Sequence, residues 1–201
     1  MLMSTLPIGL GILFLPDRLI SFFGYPPIFW RSAAPLALLA LHIPLVGIDM
    51  MIGTILNAID KQRQWAMTGV AAAFLNPLLN LFAIPYTQAR FGNGAIGAAA
   101  VTTLTEVFML LVGLVLLPRG IIDRTAIAVW LKCLLAGAVM SVVVWFARPL
   151  PVPATVMLGA VVYGSCCLTF GVLTLRDLRV VVTGLRTRGM SISTIDAEAM
   201  G

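Results

Sequence analysis

The segment from Ile55 to Leu117 contains two long apolar runs separated by a short glycine-rich turn. Each run has about 20 residues, which at about 1.5 Å per residue is the length needed to cross a hydrocarbon core of roughly 30 Å. Because lipid offers no partner to an exposed backbone hydrogen-bonding group, such runs are expected to be helices. The segment therefore predicts that the chain spans a membrane.

The composition of the whole chain agrees with a membrane protein. Of the 201 residues, 60% are hydrophobic and 10% are charged, and the mean hydropathy is +1.04. A typical soluble domain carries about 25% charged residues. The net charge is +5, but the basic residues are scattered over short loops and the C-terminal end. This distribution favours contact with anionic lipid and argues against binding of nucleic acid.

Hydropathy and turn residues predict six spans, with residues 1–175 forming one transmembrane domain. In the first apolar run, Met1–Phe23, we expect residues 2–15 to cross the membrane and residues 19–23 to lie in the interface. An aromatic belt is predicted beside that run, at Phe22, Phe23, Tyr25, Phe29 and Trp30. The other spans are predicted at about Ala33–Ala58, Trp65–Ile84, Ala95–Leu117, Thr125–Phe146 and Ala154–Leu175, with a loop at Tyr86–Asn93.

The basic residues predict how the spans are oriented. Eight of them, including the four arginines of the C-terminal stretch, fall on the side of the N-terminus. Four fall on the opposite side. The first group is Lys61, Arg63, Arg119, Arg124, Arg176, Arg179, Arg186 and Arg188, and the second is Arg18, Arg31, Arg90 and Arg148. The positive-inside rule then places both termini in the cytoplasm. Residues 176–201 are predicted to be a basic cytoplasmic tail that is partly disordered.

Three polar residues of the second span are candidates for a site inside the membrane. His42 and Asp49 are seven residues apart, close to two helical turns, so they share one face, and Asn57 follows eight residues later near that face. Pro44 between them invites a kink. One interpretation is a kinked helix whose polar side faces other helices. The other is that His42 and Asp49 line a water-filled cavity and titrate during transport.

The third and fourth spans add three more polar candidates. Asn76 and Asn80 are four residues apart and project to the same side, where they form interhelical hydrogen bonds or contact a substrate. Glu106 sits near the middle of the fourth span, as a hydrogen-bonded acid between helices or as a proton or cation site. Gly69 and Ala73 have the small-xxx-small spacing that permits close approach of helices.

Lys132 is the one Lys or Arg predicted to lie well inside a span, about two turns from its start. A cation at the centre of a bilayer costs about 2.5–3.5 kcal/mol on insertion scales. The long side chain of Lys132 either reaches the headgroups or provides a positive charge to a central cavity. The sequence leaves both interpretations open.

The chain lacks the motifs of the common enzyme classes. It has no G-x-x-x-x-G-K-[ST] loop, no H-E-x-x-H and no G-x-S-x-G. Cys133, Cys166 and Cys167 have no C-x-x-C spacing and lie in apolar runs, so neither a zinc site nor a disulfide is indicated. We therefore predict a transporter or scaffold without cofactor or metal, and not an enzyme.

Three segments resemble a known family. Residues 56–63 (LNAIDKQR) are similar to the L-N-A-x-G-[RK]-x-[RK] turn of bacterial polysaccharide flippases, except that Asp60 stands where that family usually has Gly. Residues 76–85 (NPLLNLFAIP) resemble its N-x-x-L-N-x-x-x-I-P segment. Residues 94–106 (GAIGAAAVTTLTE) resemble its G-x-x-G-A-A-x-A-T-x-x-[ST]-E segment. The resemblance covers about residues 5–117, and the order and spacing of the three segments make it fairly specific.

This family belongs to the superfamily of multidrug, oligosaccharidyl-lipid and polysaccharide exporters. The resemblance implies an all-α, polytopic protein of the bacterial inner membrane, whose six transmembrane helices form the C-terminal lobe of a two-lobe transporter. It implies movement of an undecaprenyl-pyrophosphate-linked oligosaccharide for cell-surface polysaccharide such as lipopolysaccharide. It also implies a missing N-terminal half or a partner chain. A multidrug exporter lobe and a non-transporting scaffold in glycan assembly are the alternatives.

Overall fold

The structure is a computed structural model that describes residues 1–173, and every regular element in that range is a helix. In chain order the elements are α1 (Leu2–Phe14), α2 (Pro16–Phe22), a 3-10 helix (Pro27–Ser32), α3 (Ala33–Ala58), α4 (Gln62–Phe91), α5 (Gly94–Leu116), α6 (Arg124–Phe146) and α7 (Val152–Thr169). The prediction of an all-α fold is confirmed. The predicted basic tail at residues 176–201 lies outside the described residues.

The helices have the length and apolar character of membrane spans. Five of those in residues 1–173 are long and apolar enough to cross a membrane, or six if α1 and α2 together form one span. In the most apolar windows of the five, only 11% to 33% of the residues are buried inside the protein. Large apolar side chains such as Phe74, Leu81 and Val115 point outward. A surface of this kind is suited to lipid, and the chain is a multi-pass membrane protein.

The first apolar run is divided in the way the sequence predicts. Helix α1 ends at Phe14, and α2 follows at an angle of 82° with Pro16 as its first residue. Proline is favoured at a helix start because its missing N–H has no partner there in any case. Beyond α2, the belt aromatics are exposed and form tilted or edge-to-face pairs, at Phe22, Phe23, Tyr25 and Phe29.

Helix α4 is longer than the third span predicted from the sequence. The expected loop at Tyr86–Asn93 is wrong, because the helix continues to Phe91 and ends at Gly92, whose φ of 65° is left-handed. Pro85 removes one backbone donor and so weakens the helix without ending it. At about 1.5 Å per residue, the 30 residues of α4 form a rod of about 45 Å that extends beyond the hydrocarbon core.

Side chains at the end of α4 fix a tight connection to α5. Thr87 Oγ1 accepts a hydrogen bond from the backbone N–H of Gly97 at 3.1 Å, and Gln88 Oε1 accepts one from the N–H of Gly94 at 2.9 Å. The N–H of Gly94 belongs to the first turn of α5, where backbone donors have no partner within their own helix. The connection therefore needs only Gly92 and Asn93 outside helical structure.

The seven α-helices of residues 1–173 form two groups that share α1. Helix α5 packs between α3 and α4, whereas α6 packs against α7, and α1 lies between α3 and α6. Glycine permits the closest approaches: a side chain at Gly97 would collide with the carbonyl of Ala83, and one at Gly9 would lie 2.7 Å from that of Ala40. Gly69 instead faces open space, so the close approach predicted at Gly69 is wrong.

Side-chain hydrogen bonds join the connections at each end of the bundle. At one end, Lys61 Nζ donates to the carbonyl oxygen of Leu116 at 2.6 Å. At the other end, Arg31 donates to the carbonyl oxygen of Gly92 at 3.1 Å, and Arg148 pairs with Asp17 at 3.0 Å. The connections thus alternate between the two ends, as a chain that crosses a bilayer repeatedly requires.

The last described helix ends earlier than predicted. Helix α7 stops at Thr169, whereas the sequence analysis placed the end of the sixth span at Leu175. Gly171 has a φ of 67°, and the N–H of Val172 donates to the carbonyl of Cys167 at 2.9 Å. This is the bonding pattern of a helix terminated by a left-handed glycine.

Candidate functional site

Three ionisable side chains lie along the contact between α3 and α5, near the middle of both helices. His42 Nδ1 on α3 lies 3.7 Å from Glu106 Oε2 on α5. Asp49 lies two turns further along α3, and its carboxyl oxygens form no hydrogen bond with Glu106. The seven-residue spacing of His42 and Asp49 puts them on one face of α3, and α5 brings Glu106 to that face. We call these three residues the acid–histidine cluster.

Contacts on both sides of the acid–histidine cluster hold α5 against α3. Thr103 Oγ1 donates to the carbonyl oxygen of Leu38 on α3 at 3.1 Å, one turn before Glu106. Further along, the Trp65 indole lies against Gly53 of α3 and Gly113 of α5. The position of Glu106 is therefore set by packing and by a hydrogen bond, and does not depend on its own charge.

Asp49 is unusual because it is both buried and unpartnered. Only 4% of the residue is exposed, and among residues 1–173 no side chain or backbone group hydrogen bonds to either carboxyl oxygen. The Glu106 and His42 side chains are 15% and 27% exposed. The acid–histidine cluster thus runs from a buried carboxyl towards a partly open imidazole.

The two predicted asparagines form a separate polar contact between α4 and α5. Asn80 Nδ2 donates to Asn76 Oδ1 at 2.9 Å, and Asn76 Nδ2 donates to Thr105 Oγ1 at 3.1 Å. Thr105 is buried and precedes Glu106 directly. Helix α5 therefore presents polar groups towards α4 through Thr105 and towards α3 through Glu106.

The structure does not bring the other two predicted residues into the acid–histidine cluster. Asn57 is exposed in the last turn of α3, about 12 Å along the axis from Asp49 at about 1.5 Å per residue. Lys132 is half-buried on α6, a helix that packs against α1 and α7. None of the side-chain hydrogen bonds and ion pairs found in the described part of the chain includes Lys132.

Two threonines of the site were missed in the sequence analysis. Thr103 and Thr105 make the contacts of α5 to α3 and α4, and both also bond to carbonyls of their own helix. The signal was present in the segment TTLTE, where three hydroxyl residues come directly before Glu106 in an otherwise apolar helix. Polar groups in lipid need partners, so such a run indicates a buried helix face.

The fold and the acid–histidine cluster define a polytopic helical membrane protein with ionisable side chains inside the bilayer. Within residues 1–173, the His, Cys, Asp and Glu side chains form no group of three able to hold a metal ion. Comparison of the chain with protein-family models, with curated proteins and with solved structures finds no match.

Proposed function

We propose that the chain is the C-terminal lobe of a flippase that moves a lipid-linked oligosaccharide across the bacterial inner membrane. The observation that carries this proposal is that two of the three segments resembling the flippase family, residues 76–85 and residues 94–106, are in direct contact. Residues 56–63 join α3 to α4, and Asn76 in the second segment bonds to Thr105 in the third. Segments that contact each other in the fold are expected to keep their order and spacing along the chain. The resemblance to the family rests on that order and spacing.

The turn at residues 56–63 supports the same proposal. Asp60, which replaces the usual glycine of the family turn, has a φ of 59°. Glycine adopts this left-handed conformation without steric cost, and Asp is among the few other residues that tolerate it. The substitution at Asp60 is therefore compatible with the turn geometry that the family sequence favours.

The substrate of such a flippase carries a pyrophosphate and a polar oligosaccharide. Moving this group through the bilayer requires a polar path and a counter-charge. Lys132 supplies a positive charge two turns inside α6, and its side chain is free for such a contact within the described residues. We propose that Lys132 faces a cavity shared with a second lobe, supplied by an N-terminal half or a partner chain.

A multidrug exporter lobe is the second candidate, and the acid–histidine cluster favours it. Asp49 and Glu106 place two carboxyls inside the bilayer, and buried carboxyls attract organic cations. The two candidates therefore differ in which residues meet the substrate: a cation at Lys132 for a pyrophosphate lipid, or the acids for a cationic drug.

Photo-crosslinking of the full chain together with its second lobe in vesicles separates the two candidates. The probe is a photoreactive undecaprenyl-pyrophosphate oligosaccharide, and an unlabelled copy or a cationic dye is the competitor. The flippase proposal predicts labelling that the unlabelled lipid suppresses, that the dye leaves unchanged and that is lost in Lys132→Ala. Suppression by the dye, and loss in Glu106→Gln, would favour the drug exporter. Absence of specific labelling by the lipid would contradict the flippase proposal.

A further inference from the structure

The buried Asp49 carboxyl has two oxygens that need a partner. Both are unpartnered among the residues that the structure describes, and the residue is 4% exposed. An ionised carboxylate without a partner is very costly in a medium of low dielectric constant. Asp49 therefore requires either a bound proton or a bound cation.

No basic side chain close to Asp49 supplies that positive charge. Helix α1 has no ionisable side chain, α5 contributes Glu106, and α3 itself contributes His42. The remaining charged groups on elements packed against α3 lie near the ends of the bundle, at Asp17, Arg18, Arg31, Arg63 and Arg90. Glu106, which α5 brings to the same face of α3, is a second acid, and its negative charge increases the need for a positive partner at Asp49.

We infer that Asp49 and Glu106 form a proton-binding site inside the membrane, with His42 connecting that site to the outside of the bundle. The carboxyl pair takes one proton from water, so that one carboxylate becomes a carboxylic acid. The new O–H donates a hydrogen bond to the other carboxylate. Release of the proton to water reverses this step, and no other reactant is needed. Two carboxyl groups at one helix face bind a first proton readily, because the repulsion between their charges opposes ionisation of both.

The exposure of the three side chains orders them along a route. Asp49 is buried, Glu106 is 15% exposed, and His42 is 27% exposed and lies 3.7 Å from Glu106. His42 Nδ1 is buried, has no hydrogen bond from a described residue and faces Glu106 Oε2 at 3.7 Å. Exposure therefore rises from Asp49 through Glu106 to His42, and we assign proton entry to the His42 end of this series.

A proton fits this site better than a metal ion does. No three metal-ligating side chains of residues 1–173 are grouped closely enough for coordination. Sodium and other hard cations prefer several oxygen ligands, and here the identified neighbour of Glu106 is the nitrogen of His42. The inference does not depend on which substrate the chain carries, because protonation is a property of these three residues.

Infrared difference spectroscopy on the full chain in lipid tests the inference without measuring transport. A protonated carboxyl has a stretching band separate from that of a carboxylate, and the band shifts in heavy water. We expect wild type to show one protonated carboxyl per chain at neutral pH and to lose it in alkali. Asp49→Asn should lose the neutral-pH band, and Glu106→Gln should shift its frequency. Asp17→Asn, which removes an exposed acid on α2, should change nothing.

Three results would overturn the inference. The first is wild-type protein without a protonated carboxyl at neutral pH, which can be seen even if a variant fails to fold. The second is an unchanged band in Asp49→Asn or in Glu106→Gln. The third is loss of the band when sodium replaces potassium at fixed pH, which would assign the site to a metal cation. His42→Gln should slow exchange of the band into heavy water, and unchanged exchange would overturn the proposed route.

Discussion

Asn76 Nδ2 donates a hydrogen bond to Thr105 Oγ1 at 3.1 Å, which ties α4 to α5 directly beside Glu106. The bond joins two of the three segments that resemble the flippase family. Asn80 supports it by donating to Asn76 Oδ1 at 2.9 Å. The two asparagines thus have a structural partner on α5 that is independent of any substrate.

Replacement of Asn76 should change the free energy of unfolding only slightly if the role of this residue is packing. Polar contacts between membrane helices average about 0.6 kcal/mol, so we expect Asn76→Ala to lower the free energy of unfolding by about that amount. Unfolding in detergent, with Thr105→Val and the double variant, measures the coupling between the two residues. Full loss of transport in Asn76→Ala or Asn80→Ala, at equal protein level and stability, would contradict the packing role.

Gly97 should not tolerate a methyl group. A Cβ there would meet the Ala83 carbonyl of α4 and Thr87 Oγ1, and overpacking of this kind costs about 1–3 kcal/mol. We expect Gly97→Ala to lower the thermal unfolding midpoint in detergent. Gly69→Ala is the matched control, because it adds the same methyl group in open space on α4. An equal effect of the two substitutions would show that α4 and α5 do not approach at Gly97.

Asp60 occupies a backbone position that favours glycine. Its φ of 59° is left-handed, a conformation that costs an ordinary L-residue about 1–2 kcal/mol and Asp somewhat less. We expect Asp60→Gly to leave the free energy of unfolding unchanged or raise it by up to about 1 kcal/mol. Ala58→Gly, in the last turn of α3, should lower it by about 1 kcal/mol. Equal destabilisation by both would contradict the left-handed turn.

The sequence alone predicts the first and last residues of a helix when polar residues mark both of its ends. The bounds of α3 match the prediction because an interfacial loop precedes the apolar run and the polar turn Asp60–Arg63 follows it. The end of α4 was predicted too early, because Pro85 and the polar residues that follow it indicate a loop. The side chains of Thr87 and Gln88 compensate by bonding to α5, a tertiary contact that local sequence does not reveal.

The candidate site was predictable only in part, for the same reason. Helical spacing alone places His42 and Asp49 on one face of α3. The addition of Glu106 depends on how α5 rotates against α3, which Thr103 and the Trp65 packing determine. Asn57 has a similar spacing but lies in the exposed last turn of α3. Helical periodicity predicts which face a residue is on, but it does not predict where along the helix the packing against neighbouring helices ends.

The orientation of the chain remains a prediction that labelling tests. The structure puts Arg119 and Arg148 in connections at opposite ends of the bundle, and the basic-residue bias assigns the end with Arg119 to the cytoplasm. Single cysteines at these positions, with the three native cysteines replaced by alanine, should react with an impermeant reagent from opposite sides. Reaction of the Arg148→Cys chain from the cytoplasm only would reverse the predicted orientation.

Lys132 distinguishes the flippase proposal from a purely structural role. A pyrophosphate inside the bilayer needs a counter-charge, and Lys132 lies two turns from the start of α6. Lys132→Ala should reduce substrate movement strongly. Lys132→Arg should retain part of it, because Arg keeps the charge but changes its shape. Arg124→Ala, at the start of α6, is the control for loss of a positive charge on the same helix.

The most direct measurement is transbilayer movement of an undecaprenyl-pyrophosphate oligosaccharide in vesicles that contain the full chain with its second lobe. An impermeant glycosidase reports the fraction of the lipid in the outer leaflet over time. The account predicts faster movement than in empty vesicles, near-basal movement with Lys132→Ala and intermediate movement with Lys132→Arg. Movement at the wild-type rate with Lys132→Ala would contradict the role of that residue, and movement no faster than in empty vesicles would contradict the flippase function itself.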